Sequence, residues 1–65
     1  MDVDSSVIDQ LRYEKLRLDV VFKDGRVYRY FEVPETVFEA LIGAESIGKF
    51  YNRGVKPAYE YMRIK

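Results

Sequence analysis

The chain contains no cysteine and no histidine. The absence of cysteine excludes a disulfide framework and a thiolate metal site, and without histidine the other common zinc ligand is missing too. Histidine and cysteine are also frequent nucleophiles and proton-transfer groups near neutral pH. The sequence marks no Asp or Glu pair in an apolar setting of the kind that tunes carboxyl groups for acid–base work. We therefore expect no enzyme, no cofactor and no metal site.

Long apolar runs are absent as well. No stretch approaches the ~18 consecutive apolar residues of a membrane-spanning helix. The chain begins with Asp2 and Asp4 where a signal peptide would carry basic residues. A cytoplasmic protein without a membrane role is therefore expected. The 11 basic and 11 acidic residues give a net charge of zero, which removes the simplest argument for nucleic-acid binding.

The composition that is present is that of a small folded domain. Of 65 residues, 48% are hydrophobic and 15% aromatic, which argues against disorder although 34% are charged. A chain this short buries only ~60% of the surface that its unfolded form exposes, so its core is small. We expect one soluble domain over residues 1–65, in which residues 1–4 form a disordered polar tail.

Residues 16–34 form the segment around which the chain is organised. Two alternating apolar runs meet there at Asp24-Gly25, and this dipeptide between such runs is the strongest local signal of a β-hairpin. Two loops fit the signal. One is a two-residue type I′ turn, and the other is a three-residue loop that begins at Lys23 and closes with Gly25 in a G1 bulge.

The choice of loop decides which side chains are core. The two-residue loop points Tyr28 and Tyr30 outward and buries Arg29 among aliphatic side chains. The three-residue loop pairs Phe22 with Arg26, places both tyrosines in the core and leaves Arg29 in solvent. We prefer the three-residue loop because burying an unpaired guanidinium is costly.

The flanking segments extend this hairpin into a sheet. Residues 5–13 predict a weaker first strand, in which Ile8 and Leu11 share a face only if a bulge lies between them. A tight turn before Leu16 then gives a three-stranded antiparallel meander. The alternation in residues 55–65 leaves a fourth strand open as an alternative.

Two short helices are expected between the third strand and the tail. Pro34 ends the strand and suits the first position of a helix that Gly43 closes. The apolar stripe of that helix consists of Val37, Phe38, Leu41 and Ile42. Ser46 is a good N-cap for a second helix that Gly54 ends, and Gly48 in its first turn is interpreted as a site of close backbone packing. The predicted fold class is α+β, with both helices on one face of the sheet.

A series of short motifs, in fixed order, runs from Ser5 to Ile64. The motifs are Ser5-Ser6, Leu18, Val20 and Phe22, Gly25, Tyr28 and Tyr30, Val33-Pro34, Ala44, Ser46 and Gly48, Phe50-Tyr51-Asn52, Tyr59 and Arg63-Ile64. Together they resemble the KTSC domain family, which occurs at the C-terminus of some lysyl-tRNA synthetases and as free-standing small bacterial and phage proteins. The family has no established biochemical activity. Its association with a synthetase implies RNA binding.

The residues that carry the resemblance also have structural explanations. Tyr28 and Tyr30 would stack on bases if exposed, but in the preferred register they are core residues. Ser46, Gly48 and Asn52 would bind an anion at a helix N-terminus, but capping and tight packing are the preferred explanation for them. We interpret all five as structural.

The function expected from the sequence is a small non-catalytic protein-interaction module, with a homodimer as one form of it. The candidate interaction surface consists of Val27, Arg29, Phe31 and Tyr61. The alternative is weak RNA binding through the basic last third of the chain, although the zero net charge disfavours it. The candidate phosphate contacts are Lys49, Arg53, Lys56 and Arg63.

Overall fold

The computed structural model of the protein describes residue 3 and residues 5–65, so most of the predicted tail (Met1, Asp2 and Asp4) lies outside the described residues. Four strands form one antiparallel sheet in the order β1-β2-β3-β4. They are β1 (Ile8–Glu14), β2 (Arg17–Phe22), β3 (Val27–Tyr30) and β4 (Tyr61–Arg63). The helix α1 (Glu35–Ile42), the helix α2 (Ile47–Phe50) and a π-helical turn (Tyr51–Val55) connect β3 to β4. The predicted α+β meander is confirmed, and the tail forms its fourth strand.

The central hairpin has the preferred register. Val20 pairs with Tyr28, and the Phe22 N–H donates to the Arg26 carbonyl at 2.8 Å. Gly25 closes the three-residue loop with φ of +96°, a conformation that glycine adopts without the steric cost of a Cβ. Asp19 and Arg29 consequently face each other on the opposite side of the sheet, where they form an ion pair at 2.8 Å.

Strand β1 contains the bulge that its sequence required. The pairing with β2 shifts register between Ile8 and Gln10, and both Ile8 and Leu11 are buried on the same face. The following turn differs from expectation, because Lys15 and Leu16 occupy it with φ of +49° and +66°. Strand β2 therefore begins one residue later, at Arg17.

The core lies between one face of the sheet and the helical segment. Tyr30 is 1% exposed, and Tyr51 and Val55 pack with it from the π-helical turn. The rest of the buried cluster is Ile8, Leu11, Leu18, Val20, Phe22, Val33 and Leu41. Tyr28 was predicted to be core but is half-buried at the margin of this cluster. The reason is that β4, its neighbour on that side, is an exposed three-residue strand.

The helix boundaries follow their capping chemistry, with corrections at Pro34 and Gly54; the interpretation of Gly48 is corrected as well. Pro34 is the N-cap of α1, with extended backbone, rather than its first helical residue, and Gly43 ends α1 in a right-handed conformation. Ser46 caps α2 as predicted, since its Oγ accepts a hydrogen bond from the Lys49 N–H at 3.2 Å. The helical path continues through Gly54 into the π-helical turn. A Cβ on Gly48 would lie 3.8 Å from Ser5 Oγ, an ordinary contact, so close packing does not explain this glycine.

The second face of the sheet is not covered by either helix. It carries the Asp19–Arg29 pair and the side chain of Met62, which is 52% exposed. Among residues 3 and 5–65, no helix has the length and apolar character needed to cross a bilayer.

Candidate binding cavity

An open cavity of about 380 Å³ lies where α2 and the π-helical turn approach the ends of β2, β3 and β4. Its lining combines aromatic rings, two cationic side chains and one amide. The lining residues are Val7, Ile8, Phe22, Arg26, Tyr28, Gly48, Tyr51, Asn52, Lys56 and Tyr61. None of them is acidic, although the chain as a whole carries as many acidic as basic residues. The volume falls within the range of small-ligand sites, about 300 to 1,000 Å³.

The sheet side of the cavity is built from tyrosines that the strand register aligns. Tyr61 on β4 pairs with Tyr30, and its ring stacks on Tyr28 with centroids 5.2 Å apart and planes 25° from parallel. Tyr61 is 55% exposed. A flat aromatic surface is therefore presented to solvent at the mouth of the cavity, and such a surface favours stacking of another planar group.

Arg26 supplies the first cation. Its guanidinium lies over the rings of Phe22 and Tyr28, 5.4 Å and 5.8 Å from their centroids. Asp24 holds it there, because its carboxylate accepts hydrogen bonds from Arg26 Nε at 2.7 Å and from the Arg26 backbone N–H at 3.0 Å. The bond from the backbone N–H of Arg26 is the main cause that lowers the Asp24 pKa, and the side-chain bond to Asp24 raises the Arg26 pKa. Both groups are therefore charged at neutral pH.

The π-helical turn supplies the second cation and the amide. Its wider spacing is closed by a hydrogen bond from the Lys56 N–H to the Tyr51 carbonyl at 2.9 Å. This turn places the exposed Asn52 and Lys56 at the cavity while Tyr51 and Val55 point into the core. Such π-helical insertions are rare and occur frequently at functional sites.

Tyr51 is the most deeply buried of the tyrosines that line the cavity. Tyr51 lines the cavity and is 5% exposed, and its hydroxyl lies 2.5 Å from that of Tyr30. Burial is the main cause that raises the pKa of both tyrosines, so both hydroxyls are neutral at physiological pH. The pair can donate or accept hydrogen bonds but supplies no charge.

The four predicted phosphate contacts are not gathered in one place. Lys56 lines the cavity, and Arg63 lies opposite Tyr28 in the pairing of β3 with β4. Lys49 and Arg53 lie together on a separate, shallower groove, whose lining includes Glu45. The structure thus divides the basic set between two surfaces.

The predicted interaction surface is divided as well. Val27 is 7% exposed, and it lies with Arg29 on the face of the sheet that no helix covers. Tyr61 lies on the other face, at the cavity. Phe31 is half-buried in a third place, a concavity beside the turn between β1 and β2. These residues do not form one continuous surface.

Among the family-motif residues, the structure separates those in the core from those at the cavity. Tyr30 is core and Ser46 is a helix cap, in agreement with their structural interpretation. Tyr28, Gly48 and Asn52 line the cavity. Arg26 was not among the predicted site residues, although the three-residue loop already placed it opposite Phe22 on the aromatic face of the hairpin. A basic residue on the aromatic face of the hairpin was the feature of the sequence that could have indicated its role in the site.

Within the described part of the chain, no group of three or more His, Cys, Asp or Glu residues is arranged to hold a metal ion. The fold and the cavity define a small α+β domain with an aromatic, cationic site. The KTSC domain family model matches residues 4–59, and the chain belongs to this family.

Relatives of the chain are of two kinds. It is 42% identical over 64 residues to a protein of Tsukamurella paurometabola, covering 95% of this chain and 96% of that one. An uncharacterized protein of Stutzerimonas stutzeri is 43% identical over 63 residues, covering 92% and 89%. A lysine–tRNA ligase of Trichormus variabilis is 36% identical over 63 residues, which cover 94% of this chain but 11% of the ligase.

A solved structure supports the fold. The crystal structure of a KTSC domain protein from Yersinia pestis superposes with a TM-score of 0.92 at 28% sequence identity. The match covers 100% of this chain and 94% of that one. The four-stranded sheet with its helices is therefore the architecture of a family member of known structure.

Proposed function

We propose that this protein is a non-catalytic domain that binds single-stranded RNA through the cavity. The observation that supports this is the combination, in one cavity, of the solvent-exposed Tyr61 stacked on Tyr28 with two cations, while none of the described lining residues is acidic. Proteins that bind single strands use this combination, since bases stack on aromatic rings and phosphates pair with cations. The occurrence of a related segment in lysine–tRNA ligases is consistent with an RNA ligand.

The roles follow from the positions of the side chains. A base stacks on the exposed ring of Tyr61, which Tyr28 supports from behind, and Asn52 offers an amide for hydrogen bonding to a base edge. Arg26 and Lys56 neutralise the adjacent phosphates. We assign a third contact to Arg63, which is the β4 partner of the lining residue Tyr28. One stacked base contributes ~1 to 3 kcal/mol. We expect a dissociation constant in the micromolar range or weaker, because the site is small and the protein has no net charge.

The salt dependence of the affinity gives the number of phosphate contacts. On single strands the logarithm of affinity falls against the logarithm of salt with a slope of about −0.7 per phosphate neutralised, so two or three contacts give a slope of about −1.4 to −2.1. A steeper slope would mean that more basic residues than Arg26, Lys56 and Arg63 take part.

The experiment is a titration of short fluorescently labelled RNA at low salt with matched charge reversals. Lys56→Glu is expected to weaken binding about tenfold or more, as loss of a charge-assisted contact does. Lys49→Glu is the control, because it makes the same change on the groove outside the cavity. Equal losses in both variants would show a non-specific charge effect, and absence of saturable binding by the natural chain would refute RNA binding.

A second candidate function is protein interaction by self-association. It is supported by large apolar side chains that are half-exposed outside the cavity, Leu16 at 52% and Met62 at 52%. Contact with a second copy would remove such side chains from water, which favours association. Sedimentation velocity over a wide concentration range tests it, since a purely monomeric protein would exclude self-association. For both functions we propose a cytoplasmic location.

A further inference from the structure

All three non-glycine residues with positive φ in the described chain lie together at one end of the sheet. Lys15 and Leu16 form the turn between β1 and β2, and Glu32 follows β3, with φ of +49°, +66° and +56°. The Leu16 carbonyl accepts a hydrogen bond from the Val33 N–H at 2.9 Å, and the Phe31 N–H, next to Glu32, donates to the Glu60 carbonyl at 3.0 Å. Left-handed backbone at such residues costs stability, and such strain clusters at functional sites.

These strained residues line a shallow concavity of about 700 Å³. The other lining residues are Arg17, Phe31, Ala58, Tyr59 and Glu60. This concavity shares no lining residue with the RNA-binding cavity. The strain holds the apolar Leu16 half-exposed at a turn, where the usual residues are asparagine, aspartate or glycine.

The charges that line the concavity are balanced, with two cations, two anions and the apolar Leu16 and Phe31. Lys15 and Arg17 lie at the turn between β1 and β2 and at the start of β2, whereas Glu32 follows β3 and Glu60 precedes β4, so the cations and the anions come from different strands of the sheet. Among the described residues the only side-chain ion pairs are Asp24–Arg26 and Asp19–Arg29, so none of these four charges has an ion-pair partner in that part of the chain. In a dimer with two-fold symmetry each patch contacts the same patch of the second copy. The dimer is therefore stable only if the patch is complementary to itself.

We propose that the protein self-associates through this concavity, with Leu16 of each copy inserted beside Phe31 of the other. This rests on self-association as the second candidate function and adds its surface and its symmetry. Lys15 and Arg17 of one copy face Glu32 and Glu60 of the other. Eight lining residues are fewer than the 20 to 30 per side of a standard interface, so the dimer is weak. The binding of RNA at the other site does not depend on it.

The first test uses one substitution with two measurements: thermal stability reports the backbone strain at Leu16, and self-association reports the apolar contact of its side chain. Leu16→Gly relieves the positive φ and deletes the apolar side chain, so the thermal midpoint is expected to rise by about 4 °C or more while self-association falls at least tenfold. Met62→Ser is the matched control, since Met62 is equally exposed on the helix-free face. Sedimentation velocity up to about 1 mM protein measures the association.

The possible outcomes separate an error in the proposed surface from an error in the proposed self-association. If Met62→Ser abolishes self-association and Leu16→Gly does not, the protein self-associates through the helix-free face and the assignment to the concavity is overturned. If the natural chain remains monomeric at about 1 mM, both the concavity dimer and the second candidate function are wrong.

The second test uses charge complementation. The double variant Lys15→Glu/Arg17→Glu carries only acidic residues around the concavity, and Glu32→Lys/Glu60→Lys carries only basic ones. Each is expected to be monomeric alone, and an equimolar mixture is expected to form a heterodimer that high salt weakens. Failure of the mixture to associate, with both variants folded, would overturn the charge pairing proposed here.

Discussion

The hydroxyl groups of Tyr30 and Tyr51 lie 2.5 Å apart inside the core, and their hydrogen bond joins the sheet to the π-helical turn. Their rings also meet edge to face, with centroids 5.8 Å apart. Since Tyr30 is 1% exposed and Tyr51 is 5% exposed, water cannot replace either partner easily. The pair therefore fixes the position of the turn that carries Asn52 and Lys56 to the cavity.

Removing both of these hydroxyls should cost less than the sum of the costs of removing each one alone. Tyr51→Phe leaves the Tyr30 hydroxyl buried without this partner, which costs about 1 to 3 kcal/mol of unfolding free energy. In the double variant Tyr30→Phe/Tyr51→Phe no orphan remains, so the loss should be smaller than the sum of the single losses. Urea unfolding measures this, with Tyr61→Phe as the exposed control, and strictly additive losses would contradict the coupling.

The same pair predicts a loss of stability at alkaline pH. Burial raises the pKa of Tyr30 and Tyr51 above the ordinary 10.0, so the folded state holds these protons longer than the unfolded state does. Their contribution is therefore fully present below about pH 10 and is lost as pH rises further. Unfolding free energy measured between neutral pH and pH 11 should fall steeply above about pH 10. Tyr51→Phe should flatten that fall, and an unchanged slope in this variant would contradict the assignment.

The two central tyrosines should differ in their effect on stability. Tyr30→Ala removes a fully buried ring, at a cost of about 3 to 5 kcal/mol, which is comparable to the whole stability of a domain this small. Tyr28→Ala removes a half-buried ring, so we expect about half that cost and a folded protein. Circular dichroism and urea unfolding distinguish the variants. Equal unfolding by both would show that Tyr28 belongs to the core.

The hairpin was predictable because local chemistry and burial agreed there. Asp24-Gly25 specified the loop, and the cost of burying Arg29 selected the register in which Phe22 faces Arg26. Ser46 was predictable as a cap for the same reason, since its side chain acts within its own turn.

The features that escaped prediction depend on tertiary contacts. Lys15 and Leu16 carry no turn signal, and their positive φ is imposed by the strands they join and by the bond from Val33. The spacing of the apolar residues is that of an ordinary helix, so it did not predict the π-helical turn that contains Gly54. The cavity combines Arg26 with Lys56, 30 positions later, and one sequence alone does not reveal that proximity.

Gly48 offers the sharpest test of the cavity because its substitution need not disturb the fold. It lies in α2, where alanine is favoured over glycine by about 1 kcal/mol, and an added Cβ would make only an ordinary contact with Ser5 Oγ at 3.8 Å. Gly48→Ala is therefore expected to raise the thermal midpoint by about 4 °C or more. This result would also confirm that packing does not require the glycine.

Gly48→Met extends the same substitution across the cavity. Methionine is a good helix former, and its flexible side chain can occupy the space between Tyr28 and Asn52 that the glycine leaves open. We expect stability close to that of Gly48→Ala, but RNA binding weaker by tenfold or more, because the base and the side chain compete for one volume. Thermal unfolding and the low-salt RNA titration, run on both variants, separate the two effects. Undiminished RNA binding by a folded Gly48→Met protein would place the RNA site outside the cavity.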